Sequence, residues 1–260
     1  MTDKTPAPPN VGLFATCLVD LMRPSVGFAA ARLLEAAGCR VSVPESQTCC
    51  GQPAYNAGDR KDARAIAENT IAAFEVFDYV VAPSGSCAAM IRVHYPRLFA
   101  DDPEKKARAE ALAAKTYELT LFLNDVVKTI DIKANYNGKA TYHDACSGLR
   151  EMAIRAQPRA LLRGVSGLDL IEATESEACC GFGGLFSVKY PDISTTMVDA
   201  KIDALLATGA DVVLGGDLGC LINIAGRLKR RGSDMDVRHV AEVLADMTGD
   251  MPPIAGKGGS

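Results

Sequence analysis

Eight of the nine cysteines in this 260-residue chain fall into two sets of matching spacing. Cys17, Cys49, Cys50 and Cys87 recur as Cys146, Cys179, Cys180 and Cys220, displaced by 129, 130, 130 and 133 positions. Scattered structural cysteines would not hold that register, and burial alone would not explain it, so the chain is written twice. In each set two cysteines are adjacent and glycine follows them. Neighbouring Cα atoms stand about 3.8 Å apart, closer than is usual across a disulfide, so a Cys49–Cys50 or Cys179–Cys180 bridge would be strained. Two thiolates side by side suit a shared metal site instead. A multi-iron cluster offers several metal atoms to such a pair, and glycine lets the backbone turn closely around it; a single tetrahedral ion is served less naturally. The histidines are His94, His143 and His239, and the spacing of a mixed cysteine–histidine zinc site is absent. The chemistry these residues point to is iron–sulfur.

The elements needed to gather distant cysteines are repeated too. Residues 11–16 form a short apolar run reaching Cys17, as residues 140–145 reach Cys146, and each reads as a strand ending at its cysteine. A helix follows in both, over 26–37 before Gly38 and over 159–162 before Gly164. Strands at 40–43 and 168–171 lead into the double-cysteine loops. Helices over 62–74 and 194–208 then lead to apolar strands at 79–82 and 211–214, each entering a glycine-bearing loop with the last cysteine. This alternation predicts two tandem, pseudo-symmetric α/β domains, each with a mainly parallel sheet. In such sheets functional groups collect beyond the carboxyl ends of the strands, where every repeated cysteine falls. The expected layout is a loose N-terminus over 1–10, a first domain over 11–134, a second over 135–250 and a loose tail over 251–260. Residues 101–124 read as a helical connection within the first of these.

Cys87 lies in Pro83-Ser-Gly-Ser-Cys-Ala-Ala-Met90, a loop that opens a helix, where free amides and the helix dipole favour a thiolate or an anionic cluster. Cys220 is its equivalent. Cys39 stands outside the repeat and reads as a packed side chain. His143 and Asp144, beside Cys146, suit a proton relay or an extra ligand, and equally a hydrogen-bonded strand end. Arg92 and Arg150 could offset cluster charge, although solvation is the ordinary use of such residues. Gly181-Phe-Gly-Gly184 lacks the spacing, lysine and downstream acid of phosphate-binding fingerprints and reads as a turn around the cluster.

Composition excludes other classes. Hydrophobic residues make up 48% and charged residues 23%, as in ordinary globular proteins. A net charge of −4 gives no general attraction to nucleic acid or anionic lipid. No apolar run approaches membrane-spanning length, and the proline-rich start lacks the layout of a secretory signal, so a cytoplasmic protein is expected. In a reducing compartment, many cysteines point to metal ligation or thiol chemistry rather than to disulfides.

The repeated order of a single cysteine, Cys-Cys-Gly and a further cysteine resembles the cysteine-rich CCG domain family. That family includes the cysteine-rich component of heterodisulfide reductase and the iron–sulfur components of glycolate oxidase and anaerobic glycerol-3-phosphate dehydrogenase. The likeness covers essentially the whole chain. In Pro83 to Met90, in His143-Asp-Ala-Cys-Ser-Gly-Leu-Arg150 and in Cys179-Cys-Gly-Phe-Gly-Gly184 it looks most like the family's lactate-utilization branch. The resemblance implies one or two [4Fe–4S] clusters on the eight repeated cysteines, with zinc in one repeat as the alternative. It also implies two partner subunits in the oxidation of L-lactate, or another 2-hydroxy acid, to the keto acid. The chain would then be an oxidoreductase subunit with no catalytic residue of its own. One departure stands out: the heterodisulfide reductase component ends each repeat with Cys-x-x-Cys, a fifth thiolate for a non-cubane cluster, whereas the matching positions here are Met90 and Asn223. Four thiolates per half still suffice for an ordinary cluster. Two further readings stay open, a zinc-stabilised assembly subunit and thiol catalysis on a disulfide by the adjacent cysteines.

Overall fold

Unbroken apolar runs such as Val80-Val-Ala82 and Val212-Val-Leu214 become strands covered on both faces, the pattern of a parallel sheet flanked by helices. The computed structural model describes residues 7–128 and 131–256. The first half runs β1 (Asn10–Leu13), α1 (Cys17–Met22), α2 (Pro24–Ala36), β2 (Arg40–Ser42), α3 (Gln52–Ala57), α4 (Arg60–Phe74) and β3 (Tyr79–Ala82). It continues through α5 (Gly85–Ala89), a π-helical turn (Met90–His94), α6 (Tyr95–Leu98), α7 (Pro103–Ala114), β4 (Thr116–Glu118), α8 (Leu119–Leu121) and a second π-helical turn (Phe122–Val127). The second half runs β5 (Asn135–His143), α9 (Cys146–Met152), α10 (Ala156–Leu162), β6 (Ser166–Leu170), α11 (Phe186–Lys189), α12 (Pro191–Leu206), β7 (Val212–Gly215), α13 (Leu218–Arg230), β8 (Asp236–His239) and α14 (Val240–Leu244).

Each half holds a four-stranded, wholly parallel sheet, in the order β2-β1-β3-β4 and then β6-β5-β7-β8. The strand order reverses direction between β1 and β3, and again between β5 and β7. The loops leaving those strands part there and open a crevice. Cys17 and Cys87 follow β1 and β3, and Cys146 and Cys220 follow β5 and β7, so each crevice is bordered by thiols.

Three differences from expectation stand out. Residues 101–124 are not one helix: α7 ends at Ala114 and is followed by β4, whose Thr116-Tyr-Glu118 is strand because β3 pairs with it, not because its own residues alternate. The described part of the expected loose tail, 251–256, instead lies along β8, with the Ile254 amide donating to the Val237 carbonyl at 2.8 Å and Ala255 buried. The described residues 7–9 meet the sheet, the Pro9 carbonyl accepting from the Arg40 amide at 2.9 Å, while 1–6 and 257–260 lie outside the described residues. The largest apolar core is continuous across both halves, joining Val11, Leu13 and Leu34 to Ala140, Val212 and Val243. There α2 packs on α14, and the buried Glu242 accepts from Arg23 at 2.8 Å and from Ser25 at 2.6 Å. No helix among the described residues is long and apolar enough to cross a membrane.

Candidate metal centres

Two cysteines of each set sit at helix starts, where unpaired amides and the dipole favour a sulfur anion. Cys17 opens α1 and Cys146 opens α9, while Cys87 and Cys220 are the third residues of α5 and α13. The double cysteines arrive on loops that close with a left-handed glycine, Gly51 at φ 82° and Gly181 at φ 79°. That conformation turns the Gly51 amide onto the Cys49 sulfur and the Gly181 amide onto the Cys179 sulfur, each at 3.4 Å.

The thiols converge as a result. Cys17 Sγ lies 3.8 Å from Cys49 Sγ, and Cys50 Sγ lies 3.3 Å from Cys87 Sγ. In the second half Cys146 meets Cys179, and Cys180 meets both Cys179 and Cys220. Cys49 accepts hydrogen bonds from the Cys17 thiol and the Gly51 amide, and the neighbouring thiols and amides hold it below the ordinary thiol range; Cys179, beside Cys146, Cys180 and the Gly181 amide, is held down likewise. Exposure is also paired: Cys17, Cys49, Cys146 and Cys179 are half-buried, and Cys50, Cys87, Cys180 and Cys220 are buried. Cys39 lies apart, in the core, where burial raises its thiol.

Around these skeletons the halves differ. The loop carbonyl of Cys50 accepts from the Tyr95 hydroxyl at 2.9 Å, whereas that of Cys180 accepts from the Asn223 side-chain amide at 2.8 Å. Asn223 thus anchors the loop. Three residues before Cys17 stands Phe14, packed on Phe74 with ring centroids 5.5 Å apart; three before Cys146 stands His143, fully buried. Burial, and next the charge of Lys201, push the His143 imidazole down to about 3, so it is neutral at ordinary pH. Its neighbour Asp144 turns away to a two-pronged pair with Arg159 at 2.8 and 2.9 Å. The motifs of the sequence do not single out Lys201. It occupies the buried stripe of α12, where α4 has Thr70, and its ammonium is spent on the Glu175 and Ser176 carbonyls at 2.8 Å, which tie down the loop before Cys179. Of the expected charge-offsetting arginines, Arg92 donates to the Thr116 carbonyl and Arg150 is exposed.

The two centres are adjacent. α9 crosses α5 where Gly85 meets Gly148, so closely that a Cβ on Gly85 would stand 3.0 Å from the Gly148 Cα. Asp217, at the start of α13, turns its carboxylate to the other half and accepts from Ser84 Oγ at 3.1 Å and from the Ser86 amide at 3.0 Å, at the start of the helix that carries Cys87. A mainly apolar cavity of about 200 Å³ beside Cys17, Cys49, Cys50 and Cys87 is lined also by Phe182, Leu185 and Leu218 of the second half. The turn expected around the second centre, Gly181 to Gly184, thus also walls the first.

This donor chemistry fits a thiolate-bound metal group: four converging thiols per half, amides aimed at sulfur, and in the second half a buried imidazole with both ring nitrogens unpartnered among the described residues. The cysteine-rich domain family known as CCG matches residues 11–92 and 140–225, one copy per half. Lactate utilization protein A of Exiguobacterium sp. is 52% identical over 238 residues, covering 91% of this chain and 97% of the relative. The protein of that name in Shouchella clausii is 52% identical over 235 residues, covering 90% and 98%. A crystal structure of a hypothetical protein from Helicobacter pylori superposes with a TM-score of 0.63 at 13% identity, covering 94% of this chain. This chain spans about half (50%) the length of that protein, and the likeness is one of fold. Two matched copies, each centred on its Cys-Cys-Gly loop, and relatives similar over nearly their whole length make this chain a member of the CCG cysteine-rich domain family.

Proposed function

We propose that the chain is the iron–sulfur electron-transfer subunit of a multi-protein system that oxidises a 2-hydroxy acid, L-lactate to pyruvate. Cys17, Cys49, Cys50 and Cys87 would hold one centre and Cys146, Cys179, Cys180 and Cys220 the other. The observation that carries this reading is the meeting of two equivalent thiol sets at the junction between the halves, each with one sulfur that receives a glycine amide. The lactate assignment rests on the name borne by relatives about 50% identical to the chain.

When bound, an iron–sulfur cluster supplies one-electron storage and release. The chain's own groups set the conditions. Gly51 and Gly181 amides donate to sulfur and stabilise the more negative state; Tyr95 and Asn223 fix the loops so that the donors do not move between states. Phe182, Leu185 and Leu218 keep the first centre's surroundings apolar. Oxidation of lactate to pyruvate releases two electrons and two protons. With no nicotinamide or flavin fingerprint in the sequence, the substrate and the two-electron step belong to partner subunits, and this chain relays electrons singly to the next acceptor, in the cytoplasm.

Protein prepared without oxygen is expected to hold iron and acid-labile sulfide and to give an electron paramagnetic resonance signal on reduction. Lactate-dependent reduction in a mixture of the three proteins is expected to stop when this chain is omitted. Iron-free, colourless protein after reconstitution would reject the electron-carrier reading. One observation favours a second reading for the first half: zinc at about 2.3 Å from each thiolate places tetrahedral sulfurs about 3.8 Å apart. Cys17 and Cys49 stand at 3.8 Å. Stoichiometric zinc in a redox-silent protein would select it.

A further inference from the structure

His143 has no role in the reading above, yet its surroundings ask for one. An imidazole buried with neither nitrogen satisfied is a costly feature unless something binds it. Both ring nitrogens of His143 lack a hydrogen-bond partner among the described residues. The polar groups that could have served are engaged elsewhere: Asp144 by Arg159, Lys201 by two carbonyls, Asn223 by the Cys180 carbonyl. What His143 faces is sulfur. One of its nitrogens and the sulfurs of Cys180 and Cys220 all lie within 4.8 Å of one another, and all three residues are buried.

The first half supplies the internal control. Its corresponding residue, Phe14, stands at the same distance before the strand-end cysteine and has no donor atom, so the first set is built of thiols alone. A neutral imidazole is a good ligand for iron and zinc, and it adds a donor without adding negative charge beside Asp217 and the thiolates.

Resting on the reading that the cysteines hold metal, we propose that the second centre takes the His143 imidazole as a ligand together with Cys180 and Cys220. The second centre is then a mixed imidazole–thiolate site, and the first an all-thiolate one. The chain carries two unlike centres on one repeated scaffold, and in the second a nitrogen from the carboxyl end of β5 joins the sulfurs.

The test uses full-length protein prepared without oxygen, in natural-abundance and ¹⁵N-histidine forms, with iron, sulfide and zinc measured first. Pulsed electron paramagnetic resonance of the reduced protein is expected to show a nitrogen coupling that changes with the histidine label. His143→Phe, which installs the first half's own residue, is expected to abolish it, and Cys87→Ser to leave it in place. If the second half holds zinc, X-ray absorption at the zinc edge is expected to show a nitrogen at about 2.0–2.1 Å that the variant lacks. The wild-type spectra alone decide the main point, so the test does not depend on a variant folding. Metal in the second half with sulfur ligands only, or a nitrogen signal that persists in His143→Phe, overturns this inference alone. Wild-type protein without iron or zinc overturns the underlying reading and this inference with it.

Discussion

The first and second halves place four cysteines on one backbone plan and then surround them differently. Cys49 and Cys179 receive the same glycine amide at 3.4 Å, and their loops turn at the same φ within a few degrees. Where the first half has Phe14, Ala15 and Thr70, the second has His143, Asp144 and Lys201, so uncharged residues are exchanged for titratable groups. The helix of Cys87 passes into a π-helical turn at Met90, while that of Cys220 runs regularly to Arg230. The comparison teaches that thiol placement is set by sheet topology and loop backbone, which duplication preserves. Chemical character is set by side chains on the flanking strand end and helix, which the two copies have changed independently.

The comparison is tested most severely by removing one buried thiol from each copy. Cys50→Ser and Cys180→Ser are each expected to empty their own half and spare the other, with metal retention there falling more than about 100-fold, since losing even an outer-shell partner costs about 10–100-fold. Iron and zinc per chain would show it. A single substitution that empties both halves would mean that the contacts between halves, not the local donors, decide loading.

Gly51 and Gly181 offer a matched pair with unequal costs. An alanine at either must adopt a left-handed conformation, worth about 1–2 kcal/mol. At Gly51 the new methyl would crowd the Ile66 side chain, at 3.2 Å, with the Ala63 carbonyl oxygen at an ordinary 3.7 Å; at Gly181 it would stand 2.7 Å from the Ser194 carbonyl oxygen, so α12 must shift. Unfolding free energies from denaturant titration are expected to fall by about 1–2 kcal/mol for Gly51→Ala and by about 3 kcal/mol for Gly181→Ala. Equal losses would show that the two loops are not packed as differently as the side chains suggest.

Asp217 and Ser84 hold equivalent helix starts but act unequally. Ser84 accepts from its own Cys87 amide at 3.4 Å, while the Asp217 carboxylate makes no side-chain cap on α13 and serves the other half. Asp217→Ala leaves the Ser86 amide short of a partner and the Ser84 hydroxyl with Ser86 Oγ, at 3.3 Å, in place of the carboxylate, and is expected to destabilise by about 2 kcal/mol against about 1 kcal/mol for Ser84→Ala. The same denaturant measurement, with equal values for the two, would remove the asymmetry.

Much of this arrangement was legible in the residues. The central strands and the cysteine-bearing loops could be read because apolar runs, glycines and a repeated register are local properties, and the wholly parallel sheets follow from the alternation. β4 and β8 were not legible: Thr116-Tyr-Glu118 and Asp236-Val-Arg-His239 are short and polar, and they are strands only because β3 and β7 lie beside them. The reach of Phe182 and Leu185 into the first half's cavity, the cross-half carboxylate of Asp217 and the buried Lys201 all depend on how one copy docks on the other. One signal was available for Lys201: it lies three positions after Val198 and four before Leu205 on the buried stripe of α12, where an apolar side chain belongs.

Those edge strands supply the gentlest test, because they end in a matched pair of titratable residues. Glu118 beside Ala82 and His239 beside Gly215 each start a short helix and accept a backbone amide, Glu118 from Thr120 and Leu121, His239 from Ala241. Burial acts on both, raising Glu118 to about 7 and lowering His239 from its ordinary 6.5, so each is pushed towards neutrality. The signs are opposite. A carboxyl whose folded pKa is raised contributes stability that is whole below about 4.5 and is lost as pH rises through about 7. An imidazole whose folded pKa is lowered contributes stability that is present above 6.5 and is lost on acidification. Urea unfolding across this range is therefore expected to show Glu118→Gln flattening the loss on the rising-pH side, by a slope approaching about 1.4 kcal/mol per pH unit. His239→Gln is expected to flatten part of the acid-side loss, since His143, also lowered, shares it. Should Glu118→Gln leave the rising-pH limb unchanged, the carboxyl is ionised in the folded state, and the three hydrogen bonds it accepts outweigh its burial.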